Sequence, residues 1–254
     1  MPAAVFGLLK NKIMNIKNFI NKKFKIGADN DERRVDWVEK KLKEIPAGSR
    51  ILDAGAGECR FKKFCSHLDY VAQDFREYGG SGDNKGLQTE TWDTSCINIT
   101  SDIYSIPEPD KSFDAILCTE VFEHIPDPIL AIKEFSRLLK KRGKFILTAP
   151  FASGTHFAPF HFYSGFNRYF YETHLPRYGF KIIEIYATGS FFEYIAQEVR
   201  RMPYMARRYA HTNIRIWEYP FLVVILLILK RLNVRDNGSK EFLNFAYCIV
   251  AERQ

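Results

Sequence analysis

Cysteine is scarce and unpatterned in this 254-residue chain. Its five cysteines, Cys59, Cys65, Cys96, Cys118 and Cys248, form no C-x-x-C pair and fall at no His/Cys ligand spacing. That argues against a disulfide scaffold and against a cysteine-built metal site, and free thiols in a reducing cytosol are the simplest expectation. Long hydrophobic runs are missing too. The apolar stretch at residues 219–229 is eleven residues long, whereas a bilayer span needs about twenty. No acidic residue precedes Asp29, and polar Asn and Lys interrupt every apolar run before it. With no A-x-A site following, a cleavable signal peptide is not expected.

What is present fits one α/β domain with extensions. Hydrophobic residues make up 46% of the chain, enough for a sizeable core, and aromatics a high 15%. The net charge of +7 favours acidic partners without choosing among phosphates, anionic lipids and nucleic acid. Residues 1–30 read as a basic amphipathic helix: Phe6, Leu9, Ile13, Ile16, Ile20 and Phe24 fall on one face, with lysines between them. Such a helix suits an anionic membrane surface or a packing face on the domain. The expected location is cytoplasmic, with peripheral attachment to the inner membrane face left open. Residues 31–254 form the main domain, and a second helix is expected over residues 31–44.

Ile51-Leu52-Asp53-Ala54-Gly55-Ala56-Gly57 reads as a buried strand running into a glycine turn. Glycine there lets backbone approach a ligand closely. The dinucleotide fingerprint would need glycine where Arg60 stands. Asp53 would repel a pyrophosphate but attract ammonium and sulfonium charge, which S-adenosylmethionine (SAM) carries. A crossover helix is expected over residues 61–68, then a strand at residues 70–73 ending in Asp74. Asp74 lies about twenty residues past Asp53, where nucleoside sites place a carboxylate for ribose. Residues 76–95 are polar and glycine-rich, a loop that could fold over a site. Cys96-Ile97-Asn98-Ile99 is expected as the third strand, and Ser101-Asp102-Ile103 follows.

Residues 110–150 continue the strand–helix alternation. Ser112-Phe113-Asp114-Ala115-Ile116-Leu117-Cys118 is the fourth strand, and Asp127-Pro128 starts a helix striped by Ile129, Ile132, Phe135 and Leu139. Lys140-Lys141-Arg142 suit that helix's negative end before Gly143, and Lys144-Phe145-Ile146-Leu147-Thr148 is the fifth strand. Asp53-x-Gly55-x-Gly57 resembles the first motif of class I SAM-dependent methyltransferases, acidic-x-G-x-G-x-G, with Cys59 at the third glycine. The run from Ser112-Phe113-Asp114 through Glu120-x-x-Glu123-His124-x-x-Asp127-Pro128 to Gly143 is similar to the type 11, ubiquinone-biosynthesis-like branch. The resemblance covers residues 35–190 and 242–253. It implies a Rossmann-like seven-stranded, mostly parallel sheet with helices on both faces, interrupted before its last strand by an insert at about residues 190–240. It also implies SAM as cofactor, held by Asp53, Gly55, Gly57, Asp74, Asp102, Ile103 and, more weakly, Glu120.

Residues 151–177 leave the end of strand five and mix aromatics with His156, His161, Tyr163, Asn167 and Arg168, as an acceptor pocket would. For a general base, His161 and His156 rank above His124, because they lie on the acceptor loop. No metal is expected, since strand four ends in Cys118-Thr119 rather than a carboxylate. The segment 159–166 is loosely similar to bacterial surface-polysaccharide methyltransferases. The leading expectation is therefore methyl transfer to a small-molecule or glycan hydroxyl, on a sugar or lipid-linked sugar. Quinone or lipid methylation, RNA methylation and a non-catalytic membrane adaptor stand as alternatives. Nucleic acid is disfavoured because the cations gather at the chain's ends. The acceptor, the atom methylated and the oligomeric state are not fixed by the sequence.

Overall fold

The computed structural model describes residues 25–89 and 91–254. The amphipathic helix expected at the N-terminus, its membrane contact included, therefore lies outside the described residues apart from its last few. The chain divides into two compact units, one of residues 32–188 with 245–254 and the other including residues 25–31 and 189–244.

The larger unit is a seven-stranded sheet in the order β3-β2-β1-β4-β5-β7-β6. Its strands are β1 (Arg50–Ala54), β2 (Asp69–Asp74), β3 (Ile99–Thr100), β4 (Phe113–Thr119), β5 (Leu139–Pro150), β6 (Phe180–Thr188) and β7 (Ala246–Arg253). The first five pair in parallel, while β7 runs antiparallel to both β5 and β6. This is the Rossmann-like methyltransferase topology that the motifs implied.

The sequence explains the centre of the sheet. A strand covered on both faces must be apolar at consecutive positions, and successive side chains point to opposite faces. Leu52, Ile116 and Phe145 enter one core with Phe135, Leu138 and Ile249. Their neighbours Ile51, Leu117 and Ile146 enter the other, against Val38 and Leu42 of helix α1 (Asn30–Lys43). Helix α2 (Pro128–Leu138) begins as expected: the Asp127 carboxylate accepts from the Ile129 and Leu130 amides, and Pro128 takes the first turn. Helix α3 (Arg168–Arg177) then leads into β6.

Three local expectations are corrected. Residues 61–68 hold only a 3-10 turn, Lys62–Phe64, rather than a crossover helix. Lys140, Lys141 and Arg142 belong to β5, not to the end of α2, and the register shifts between Phe113 and Ala115 opposite them. Arg142 takes a positive φ of 66° within this strand, at the irregularity. Finally, Cys59 and Cys96 form a disulfide, contrary to the expectation of free thiols; Cys65, Cys118 and Cys248 are free and buried. Their 37-residue separation hid the pair, because only the folded chain brings their Cα atoms to 6.3 Å.

The smaller unit contains α4 (Phe191–Tyr209) and α5 (Tyr219–Val234). Ile26, Ala196, Leu226 and Leu229 form its core. Ser190 caps α4 by accepting from the Glu193 amide. On α5, Phe221, Val224, Ile225, Leu227 and Ile228 are exposed. No helix among the described residues is long and apolar enough to cross a membrane.

Candidate cofactor and acceptor cavity

The carboxyl ends of β1, β2, β3 and β4 meet at a cavity of about 480 Å³. One end is built by the glycine turn and by the residues just beyond β2 and β3. Gly55 and Gly57 have positive φ of 74° and 52°. A Cβ on Gly55 would come within 2.5 Å of the Val121 side chain, and one on Gly57 within 3.1 Å of the Trp92 ring. Both positions therefore need glycine for space as well as for conformation. The turn is tied back to β2, because the Gly57 amide donates to Asp74 Oδ2 at 2.9 Å and the Ala56 amide to the Gln73 carbonyl. Asp74 Oδ1 accepts from the Arg76 amide at 2.8 Å.

Of the cofactor residues read from the sequence, Gly55, Asp74, Asp102, Ile103 and Glu120 line the cavity. Asp102 is exposed, and its Oδ1 also accepts from the Tyr104 amide. Glu120 is held by Arg34 at 2.7 Å and by the Thr148 hydroxyl at 2.9 Å. Gly57 sits behind Trp92. Asp53 is not among the lining residues: it is buried at 2% exposure and accepts from the Tyr70 hydroxyl at 2.5 Å. Burial pushes its carboxyl up to about 7, with the nearby Asp74 charge adding to the push and the Tyr70 hydrogen bond opposing it.

Asp74, Glu77, Asp102 and Glu120 all line the cavity, and no lysine or arginine is among its described lining residues, although the chain as a whole is basic. The glycine cradle and this acidic wall suit an uncharged nucleoside joined to a sulfonium and an ammonium, and would disfavour phosphates.

The other end is aromatic. Phe157, Phe160 and Phe162 from the loop after β5 face Tyr78 and Trp92 from the long loop after β2. Tyr78 stacks on Phe157 with centroids 4.9 Å apart, and Trp92 meets both edge-on. Backbone hydrogen bonds Leu87–Thr155, Phe157–Leu87 and Asp83–Ala158 join the two loops. Sequence reasoning marked the loop after β2 as a cover but missed Tyr78 and Trp92, because scattered aromatics in a glycine-rich loop have no period.

Among the three candidate bases, His124 lines the cavity, and His156 and His161 do not. Their rings nonetheless form one group, His124 to His156 at 4.6 Å and His156 to His161 at 4.7 Å. His161 Nε2 lies 3.3 Å from the Ser153 hydroxyl. Burial and the neighbouring His156 lower His124 to about 3, so its free nitrogen is a weak base. Burial lowers His161 as well. The expectation of no metal considered only the end of β4; the folded chain also gathers Glu123, His124 and His156.

Residues 27–216 match the model of a methyltransferase domain family. A ubiquinone biosynthesis O-methyltransferase of Xanthomonas oryzae pv. oryzae is 32% identical over 118 residues, covering 45% of this chain and 48% of that protein. A sarcosine/dimethylglycine N-methyltransferase of Halorhodospira halochloris is 25% identical over 126 residues, covering 48% and 45%. The chain thus spans about half the length of the curated relatives it matches. The Haemonchus contortus phosphoethanolamine N-methyltransferase 2 in complex with SAM aligns with a TM-score of 0.51 at 17% identity, over 87% of this chain and 52% of that one. The [4+2]-cyclase SpnF aligns equally well, with a TM-score of 0.51 at 18% identity over 86% and 80%. At these identities the structures speak for the fold, which hosts more than one chemistry. The family match covers most of the chain, and with the glycine cradle and strand order it leads to one assignment: the chain belongs to the methyltransferase-domain family, within the class I SAM-dependent methyltransferases.

Proposed function

We propose that this protein transfers a methyl group from SAM to a hydroxyl of a small, ring-bearing acceptor, a sugar or lipid-linked sugar. The observation that carries the reading is the division of one cavity into an acidic, glycine-cradled end and an aromatic end. Gly55, Asp74, Asp102 and Ile103 would hold the cofactor, with Gly57 shaping the turn behind them. Bound there, SAM supplies an electrophilic methyl on sulfur. Phe157, Phe160 and Phe162 would stack on the acceptor ring and exclude water, so this chain's main contribution is alignment. A proton affinity as low as that of His124 does not suit removal of the acceptor's proton.

A quinone or other lipid acceptor is the second reading. The Xanthomonas relative's name and the exposed apolar face of α5 favour it. Methylation of RNA fits poorly with an acidic wall, since phosphate contacts dominate nucleic-acid affinity.

The test is calorimetric titration of S-adenosylhomocysteine, followed by a methyl-transfer screen with labelled SAM. The acceptors are nucleotide-linked sugars, lipid-linked sugars and catechol-type quinone precursors. Micromolar binding with turnover of a sugar acceptor supports the reading, and turnover of catechols alone replaces it with the second. Failure of the folded protein to bind S-adenosylhomocysteine would sink both.

A further inference from the structure

Glu123 is the most deeply placed acid of the larger unit, with no exposed surface. Neither carboxylate oxygen has a hydrogen-bond partner, and His124 Nε2 is likewise buried without one. An uncompensated buried carboxylate is costly, so a well-packed fold normally supplies it with donors or a cation. What surrounds Glu123 is a pair of imidazoles. His124 Nε2 lies 3.7 Å from Glu123 Oε1, and His156 Nε2 lies 3.8 Å from the same oxygen. One donor atom from each residue falls within 4.8 Å of the others.

Neither contact is an ion pair while its imidazole is neutral. The second nitrogen of each ring faces a backbone carbonyl, His124 Nδ1 on Phe160 at 2.5 Å and His156 Nδ1 on Gly154 at 3.0 Å. A carbonyl can only accept, so each Nδ1 carries the proton, and in the neutral ring the lone pair sits on Nε2, turned toward Glu123. Backbone carbonyls that accept Nδ1–H are the usual outer shell of a metal site, and Nε2 atoms converging on a carboxylate are a candidate ligand set for it.

We propose that Glu123, His124 and His156 bind one divalent first-row transition-metal ion. Two imidazoles and a carboxylate suit zinc or ferrous iron better than magnesium or calcium, which prefer oxygen. Tetrahedral zinc bonds of about 2.0–2.2 Å place two ligands roughly 3.3–3.6 Å apart, so the two Glu123–histidine distances need to contract by only a few tenths of an ångström. His124 also lines the cavity, which gives the ion a way in and leaves its open side toward the aromatic end. The ion would neutralise Glu123 and tie the loop after β5 to the turn after β4. His161, turned to Ser153, stays outside the ligand set.

The inference does not depend on the acceptor. The full chain is stripped with chelator, dialysed against stoichiometric zinc and measured by mass spectrometry for metal per chain. S-adenosylhomocysteine titration on each sample reports folding. About one zinc per chain is expected for wild type and for His161→Gln. At least tenfold weaker binding is expected for Glu123→Gln and for His156→Gln. Cobalt substitution gives a second readout: visible absorption bands that disappear in the same two variants. Wild type that takes up no zinc while binding S-adenosylhomocysteine would overturn the proposal, as would variants that keep wild-type affinity. His156→Gln, in a loop, is the arm to rely on if Glu123→Gln does not fold.

Discussion

The two ends of the cavity are made differently. The glycine-turn end consists of strand ends and the turns directly after them, so its residues follow one another in short runs, 73–74 and 100–104, beside Gly55. The aromatic end is assembled from two loops nearly eighty residues apart in sequence, joined by backbone hydrogen bonds and stacked rings. The first kind of construction leaves a motif, whereas the second leaves only composition. The ends also bury titratable groups of opposite kind, Asp53 behind the glycine turn and His124 beneath the aromatics, and this gives the first and largest way to test the contrast.

The folded-state pKa of Asp53 is raised from 3.8 to about 7. Its protonated form is the one the fold favours, so its contribution is complete below about 4 and is lost as pH rises through 7. His124 is lowered from 6.5 to about 3, so its contribution is present above 6.5 and is lost as pH falls toward 3. Each pH unit inside these windows corresponds to about 1.4 kcal/mol. Unfolding free energies measured from pH 4 to 8 should fall less steeply with rising pH in Asp53→Asn than in wild type. In His124→Gln they should fall less with acidification. Parallel curves for wild type and both variants would mean that neither burial is felt.

The next effect concerns the tie at the glycine-turn end. The Cys59–Cys96 disulfide closes a 37-residue separation that contains the whole loop after β2. Chain entropy gives such a cross-link about 2–4 kcal/mol. Reduction, or Cys96→Ser, should lower the unfolding midpoint and weaken S-adenosylhomocysteine binding, because Cys59 follows the glycine turn. If binding is unchanged while stability drops, the link serves folding alone.

Gly55→Val and Asp74→Asn test the turn itself. The valine meets Val121 and an unfavourable positive φ, at a cost of about 1–3 kcal/mol. The asparagine keeps one acceptor for two amides, at about 1.5–3 kcal/mol when both bonds reach a charged group. Both should reduce S-adenosylhomocysteine affinity at least tenfold in calorimetry, and both should lower the unfolding midpoint.

How much of this could be read beforehand follows the same divide. β1 and β4 were legible because a central strand needs consecutive apolar residues, and α2 because Asp127-Pro128 is a local capping signal. Residues 61–68 hold only the 3-10 turn Lys62–Phe64, although Phe61, Phe64, Cys65 and Leu68 have helical spacing. Lys140–Arg142 were assigned to a helix end on charge, but pairing of Leu139 with Phe113 starts the strand earlier. Asp53 lies on β1 just before the turn, and its side chain accepts from Tyr70 and is not among the cavity's lining residues, a direction that no spacing encodes. The histidine ranking rested on the loop after β5, whereas the folded chain turns His124 to the cavity and gathers all three rings, because Phe160 and Gly154 carbonyls orient two of them.

Trp92 gives the smallest expected effect and the finest test, because it belongs to both ends. Its ring is the nearest neighbour of a Cβ at Gly57, and the same ring packs on Tyr78 and Phe157. Aromatic pairs contribute about 0.5–1.5 kcal/mol beyond their area. Trp92→Leu keeps apolar bulk but loses both ring pairs, so S-adenosylhomocysteine affinity should fall by roughly a factor of five, and the acceptor's KM should rise by a similar factor. A change in KM alone would place the boundary between the ends on the cofactor side of Trp92. A change in S-adenosylhomocysteine affinity alone would place it on the acceptor side. Equal changes would make this residue the shared wall through which the motif-built end and the loop-built end act on one another.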